Sequence, residues 1–355
     1  MKREREALKD MTSLAVLIQE QLKPFVRRID AEAYYAEEFL KSIGKAGFLN
    51  SNTGVDFSTE VSVVEEVSKV CMTTGFNLWC HLAALTYIRN SENRYLKDEI
   101  LPQLENGQLL GGTGLSNPMK YYAGLESLHL KASKTNEGYS VNGQLPSVSN
   151  LGTDHWFGLI AEVSPEQRMM AVVPCNAEGL TLKAKLEYLG VNGSATYSCA
   201  FDDVMIPKEW IVSHDVDTFI EKIRPAFVLY QIPLGLGVTE ASIASIRQVC
   251  NKQGGCNDYL SIQPDDLEKE LEQIRTETFK LADGEGLLQQ WKELLQLRLR
   301  TAYLTSKAAH GSMLHQGGAG YLKYSAPSRR LRESYFLVNL TPTVKHLEKM
   351  LHQMQ

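Results

Sequence analysis

The chain has 355 residues, 43 % of them hydrophobic, with a net charge of −5. That length and apolar share can bury a sizeable core in two or three regions, and the negative balance excludes nucleic acid or an anionic membrane as a bulk electrostatic partner. Six cysteines (Cys71, Cys80, Cys175, Cys199, Cys250, Cys256) show no CxxC spacing, the charged start Met1–Glu6 leads into no secretory signal, and no run approaches the ~20 apolar residues of a membrane span. The expectation is a soluble, cytoplasmic protein with reduced thiols.

From Asp10 to about Gln108 the pattern is helical, with Leu14, Ile18, Leu22 and Phe25 at spacings of three and four. Tyr34–Ala46, Thr59–Met72, Phe76–Asn90 and Leu96–Leu104 continue it, the middle two with faces wide enough for burial on several sides. At Gly111-Gly112-Thr113-Gly114 the texture changes. Short runs rich in Val, Ile, Thr and aromatics follow at 128–131, 139–141, 156–161, 169–173, 180–183 and 196–201, separated by Asn, Gly, Ser and Pro. They predict an antiparallel β-domain. After Pro207 helices are expected over 226–252, 265–282, 286–315 and 343–355, with the length and period of a bundle. The division is 1–108 helical, 109–212 β, and 213–355 helical bundle.

Several motifs stand out in this frame. The segment Leu189-Gly190-Val191-Asn192-Gly193-Ser194-Ala195-Thr196-Tyr197-Ser198-Cys199-Ala200-Phe201-Asp202-Asp203-Val204-Met205-Ile206-Pro207 reads as a loop, a strand and a Phe-Asp-Asp-Val-x-Ile-Pro corner. Leu115-Ser116-Asn117-Pro118 is a hydroxyl-bearing turn, and Tyr139-Ser140-Val141-Asn142-Gly143-Gln144 a hairpin that continues to Ser147-Val148-Ser149-Asn150. His315-Gln316-Gly317-Gly318-Ala319-Gly320-Tyr321 is a glycine turn after a long helix, followed by Arg329–Glu333.

Together these resemble the acyl-CoA dehydrogenase superfamily over essentially the whole chain. The resemblance implies an α+β multidomain fold: an N-terminal helical domain, a central antiparallel β-domain and a C-terminal four-helix bundle. It also implies a flavin, FAD with FMN left open, and a homodimer or homotetramer built through the bundle. By the same resemblance the flavin-contacting residues are Leu115, Ser116, Ser147, Ser149, Gln316, Gly317, Gly318, Thr341 and Thr343. Ser147 stands where the family has tryptophan, and Ser149 where it has threonine.

The chain departs from the family at the base. Most members carry a glutamate shortly after the arginine that matches Arg332; counting forward, the matching residue here is Thr341, whose hydroxyl cannot remove a proton near pH 7. Others carry it on the helix after the β-domain, and Arg224–Ile232 contains no Asp or Glu. The catalytic base is therefore unidentified. His81, on an apolar helix with Trp79, Leu82 and Leu85, is a candidate set against the ordinary role of a core histidine; Arg224, before Pro225, is set against a surface or capping role; Thr341 completes the three. Histidines are scattered with no HExxH or Cys/His cluster, so no metal is expected. There is no Gly-x-Ser-x-Gly elbow, Walker loop or dinucleotide fingerprint.

Three functions remain. The first is a flavin-dependent oxidoreductase taking a hydride from an acyl thioester or related small molecule, such as an acyl-CoA. The second is a two-component monooxygenase supplied with reduced flavin by a flavin reductase, in which Ser149, Asn150 and His81 would contribute polar groups. The third is a catalytically inactive relative that binds an acyl group or acts as a scaffold.

Overall fold

The computed structural model describes residues 11–50, 56–185, 187–284 and 286–354. The charged start, Asp10 and Gln355 lie outside them. A helical run opens with α1 (residues 11–17), passes through a π turn at Ile18–Leu22 and closes with α2 (Val26–Glu32). After α3 (Glu37–Lys45) come α4 (Phe57–Val70) and α5 (Met72–Asn90). Asp56 caps α4 by accepting from the Thr59 amide, satisfying one of its free first-turn N–H groups. Helix α5 is buried from Met72 through Ile88, which is why its apolar pattern has no single face. A short α6 (Leu101–Glu105) leads to the sheet.

The sheet runs β6-β7-β3-β2-β4-β5-β8, with β1 beside β4. Its strands are β1 (Gly111–Thr113), β2 (Leu130–Lys134), β3 (Gly138–Val148), β4 (Trp156–Ser164), β5 (Gln167–Pro174), β6 (Leu180–Ala184), β7 (Tyr197–Pro207) and β8 (Ile211–Ser213). Side-chain alternation divides β5: Met169, Ala171 and Val173 fill a core within the β-domain, while Met170 and Val172 join the larger helical core. Both faces are therefore covered around the middle of the sheet.

Two expectations change here. The sheet is mixed rather than antiparallel, since β1 and β4 pair in parallel, as do β2 and β4 at Lys131↔Glu162. The cause at β1 is that it enters straight from the helices, with no hairpin partner. Its glycines let α5 approach, for a Cβ on Gly111 would meet that of Ala84 at 2.4 Å. The Asp202-Asp203 corner does not end the strand. Asp203 takes φ 50 as a β-bulge, with Asn142 and Ser140 donating to its Oδ1, and β7 continues to Pro207.

The C-terminal helices are α8 (Val216–Leu229), α9 (Ile232–Arg247), α10 (Pro264–Asp283), α11 (Trp291–Gln316), α12 (Ala326–Asn339) and α13 (Val344–Gln353), with α7 (Ser116–Tyr121) inside the β region. By length and composition Val216–Arg247 could cross a membrane, yet its most apolar window is 89 % buried within the protein, as a core helix would be. Helix α9 packs on both α11 and α4, and Arg275 of α10 reaches Glu65 of α4 at 2.6 Å. N- and C-terminal helices thus share one core.

Candidate active site

A cavity of about 290 Å³ opens where the three regions meet. Helix α5 contributes Phe76, Trp79 and Cys80; α8 contributes Phe227; α12 and the turn after it contribute Phe336, Asn339, Leu340 and Thr341. The sheet side supplies Thr113, Ser116, Ser147 and Ser149, and the loop between β6 and β7 supplies Tyr188, Val191 and Thr196.

One wall is aromatic. Phe336 meets Phe76 edge-on at 4.6 Å, Phe76 stacks on Trp79 at 5.5 Å, and Trp79 meets Phe227 at 4.7 Å. The indole N–H of Trp79 donates to the Phe227 carbonyl at 2.9 Å, which fixes the ring. The lining also carries hydroxyls. Ser116 Oγ lies 3.0 Å from Thr341 Oγ1, Ser149 Oγ 2.7 Å from Thr196 Oγ1, Ser147 Oγ 3.2 Å from Tyr188 Oη, and Thr113 Oγ1 2.6 Å from Tyr87 Oη. Val191 holds φ 56, a left-handed conformation rare for a β-branched residue, and so marks backbone strain at the cavity edge. Gly193, two residues on, is pressed onto α2; a Cβ there would meet Ile29 Cγ2 and the Tyr34 carbonyl at 2.7 Å.

Among the described residues, the lining contains no Asp, Glu, His, Lys or Arg. Its one thiol, Cys80, is held neutral because burial pushes its pKa well up.

Of the residues expected at the site, the structure brings Ser116, Ser147, Ser149 and Thr341 together here. Leu115 is fully buried but does not line the cavity, and Thr343 caps α13 by accepting from the His346 amide. Gln316 ends α11 and donates to the Ser245 carbonyl at 3.0 Å. Gly317 and Gly318 follow it in a turn where an added Cβ would meet nothing within 4 Å. None of these three lines the cavity.

His81 is a core residue. Its Nδ1 accepts from the Gly111 amide at 2.9 Å and its Nε2 donates to the Leu104 carbonyl at 3.1 Å. Burial pulls its pKa down to about 3, so it stays neutral and spent on structure. Asn150 is buried between the Tyr35 hydroxyl and the Gly111 carbonyl. Arg224 does not open its helix: α8 starts at Val216, capped by Asp215, and the guanidinium sits over the Trp291 ring at 4.8 Å. Sequence reasoning missed the aromatic wall and Thr113, Tyr188 and Thr196. Only the i, i+3 spacing of Phe76 and Trp79 hinted at it, and that spacing reads equally as core.

Residues 2–108 match the family model described as "Acyl-CoA dehydrogenase, N-terminal domain". The mitochondrial isovaleryl-CoA dehydrogenase of Pongo abelii is 28 % identical over 221 residues, covering 57 % of this chain and 52 % of that protein. The match thus spans about half the relative's length. An acyl-CoA dehydrogenase of Bacillus subtilis (strain 168) is 24 % identical over 358 residues, covering 91 % and 93 %. The solved butyryl-CoA dehydrogenase of Megasphaera elsdenii superposes with a TM-score of 0.89 at 17 % identity, covering 98 % of this chain and 97 % of that one.

Residues 2–108 belong to the acyl-CoA dehydrogenase N-terminal family, and the whole chain has the acyl-CoA dehydrogenase fold. PigA, solved with FAD and proline, superposes with a TM-score of 0.86 at 15 % identity, covering 98 % of this chain and 97 % of that one. Homologues in this superfamily are oxidoreductases and flavoproteins. The donor set fits a flavin ring: aromatic side chains to pack against it, and hydroxyls that both donate and accept for its heteroatom edge.

Proposed function

We propose that the protein is a flavin-dependent oxidoreductase that holds the ring of a flavin, FAD in the first instance, in this cavity and acts on an acyl thioester or related small molecule. The gathering of four hydroxyl pairs and an aromatic cluster around one cavity is the observation that carries the reading. When bound, the flavin supplies hydride acceptance or, once reduced, reaction with oxygen.

The protein's own residues bind, orient and exclude water. Ser116 and Thr341, hydrogen-bonded to each other at 3.0 Å, join the β-domain to the C-terminal bundle, so a ring seated beside the pair is held by both regions together. Ser149 is held by Thr196, itself hydrogen-bonded to Ser194 at 2.7 Å, so its oxygen is aimed before any ligand arrives. Phe76, Trp79, Phe227 and Phe336 give the cavity its apolar lining and exclude water there. A homo-oligomer built through the C-terminal helices accords with the exposed Leu314, Tyr321, Leu322 and Tyr335 of that region.

The carboxylate-free lining favours a second reading. Removing a proton α to a thioester carbonyl needs a base, and the position expected to carry one presents the Thr341 hydroxyl. A monooxygenase supplied with reduced flavin needs no such base. Anaerobic addition of an acyl-CoA to the FAD-loaded protein separates the two. Bleaching of the visible band supports thioester oxidation. No bleaching, with oxygen consumption only after reduced flavin is supplied, supports the monooxygenase.

A further inference from the structure

Arg298 is the largest fully buried side chain among the described residues, with no exposed surface. It lies on α11, where Nε donates to Gln231 Oε1 at 2.9 Å and Nη2 donates to the Leu337 carbonyl at 2.8 Å. Its Nη1 has no hydrogen-bond partner. No carboxylate among the described residues pairs with it, although buried Arg89, Arg329 and half-buried Arg332 each have one. An arginine buried with no counter-ion is rare, because desolvating the cation is left uncompensated. Burial draws its pKa down to about 9, which still leaves it charged at neutral pH.

The charge is connected to the cavity. Gln231, also fully buried at the α8–α9 junction, turns its Nε2 to the Thr341 carbonyl at 2.9 Å. Thr341 lines the cavity and is hydrogen-bonded to Ser116 in its wall. Leu337, the other acceptor, lies one turn before the lining residue Leu340 on the same chain segment. Arg298 therefore holds the end of α12 and the turn after it from behind. Among the described residues, the cavity lining itself offers a ligand no cation.

We propose that Arg298 is an electrostatic positioning residue of the cavity: its unpaired cation, relayed through Gln231 and the Thr341 carbonyl, favours a ligand that carries or gains negative charge there. The proposal rests on the flavin reading and gives it a direction. Two-electron-reduced flavin bears a negative charge on its ring at neutral pH, so the reduced state is held more tightly than the oxidised one. A merely structural arginine would affect both states alike.

The test is the dissociation constant of FAD in its oxidised and dithionite-reduced states, for wild type, R298M, R298K and Q231L, each checked for folding by circular dichroism. A unit charge acting over about 10 Å at an effective dielectric near 20 changes the ratio of the two constants about tenfold, equivalent to about 30 mV in two-electron potential. The expected result is a wild type that prefers reduced FAD, an R298M protein that loses that preference about tenfold, and an R298K protein that keeps most of it. Q231L, which retains the charge but removes the relay, should lose part of that preference. A wild type that binds oxidised FAD as tightly as reduced overturns the proposal without any variant, which covers an R298M that does not fold. An unchanged ratio in folded R298M overturns it as well, and leaves the flavin reading standing. Absence of FAD binding to wild type in both states overturns both.

Discussion

Replacing Thr341 by glutamate puts a carboxyl where most relatives of this fold are expected to carry one, and the structure sets its cost. The Thr341 side chain is 6 % exposed, its polar neighbour in the cavity is the Ser116 hydroxyl, and the lining offers no cation. Burial with one hydroxyl donor raises a carboxyl pKa; a rise of about 2 units costs about 2.7 kcal/mol once the group is ionised. Arg298, behind the turn, opposes this by about 1.7 kcal/mol if it acts over about 10 Å at a dielectric near 20. The net penalty is about 1 kcal/mol. Below a pH of about 4.3 the group is protonated in folded and unfolded chains alike and carries no charge penalty. As pH rises through the raised folded pKa the penalty becomes complete. Thermal melts of flavin-free T341E against its neutral isostere T341Q should coincide near pH 4.5 and separate by about 2 °C near pH 8, with T341E lower. In the R298M background the gap should widen to about 5 °C. A T341E protein that melts at or above T341Q near pH 8 would refute the reasoning, because the position would then be solvated or faced by a cation.

Other expectations follow from the same geometry. S149A removes a pre-aimed hydroxyl and should weaken FAD binding by about 3- to 10-fold, the range of one hydrogen bond, without changing the melting temperature by more than about 2 °C; isothermal titration and thermal melts measure both. H81L strands the Gly111 amide and the Leu104 carbonyl and should cost about 2 kcal/mol near pH 7 in denaturant unfolding. Because the folded pKa of His81 lies near 3, below the usual 6.5, its neutral form supports stability above pH 6.5 and that support is lost as pH falls toward 3. The gap between wild type and H81L should therefore narrow from pH 7 to pH 4. D30A breaks the paired bonds from Arg332 to Asp30, at 2.6 and 2.7 Å, that tie α12 to α2. It should cost about 2 kcal/mol by the same denaturant assay.

The sequence pattern was informative where periodicity is local. Helices α4 and α10 announced themselves through spacings of three and four, and the strands of the β-domain through Val, Ile and aromatic runs between turns. It was silent where pairing is non-local. Nothing in Gly111-Gly112-Thr113 tells that it will lie parallel to β4, and Asp202-Asp203 looks like a chain reversal until Asn142 is seen opposite it. At the site, the hydroxyls of Ser116, Ser147, Ser149 and Thr341 were reached through resemblance, because motifs fix those turns. The aromatic wall was not, since a phenylalanine facing a cavity and one facing a core obey the same helical period. His81 misled for a related reason: its partners, the Leu104 carbonyl and the Gly111 amide, are backbone groups that no residue pattern reports. Arg298 had a faint signal, a charge inside Leu294-Leu295-Gln296-Leu297-Arg298-Leu299, but Arg300 two residues on is half exposed and paired with Glu277. Spacing alone did not separate them.

The most direct test of the central claim is the visible spectrum of the purified protein titrated with FAD, oxidised and then reduced, compared with S116A and S149A. Stoichiometric binding with a shifted flavin band, weakened by each substitution, is the result expected of a ring seated in the cavity against its hydroxyls and aromatic side chains. A spectrum unchanged from free FAD in both redox states, or binding indifferent to both substitutions, would contradict it.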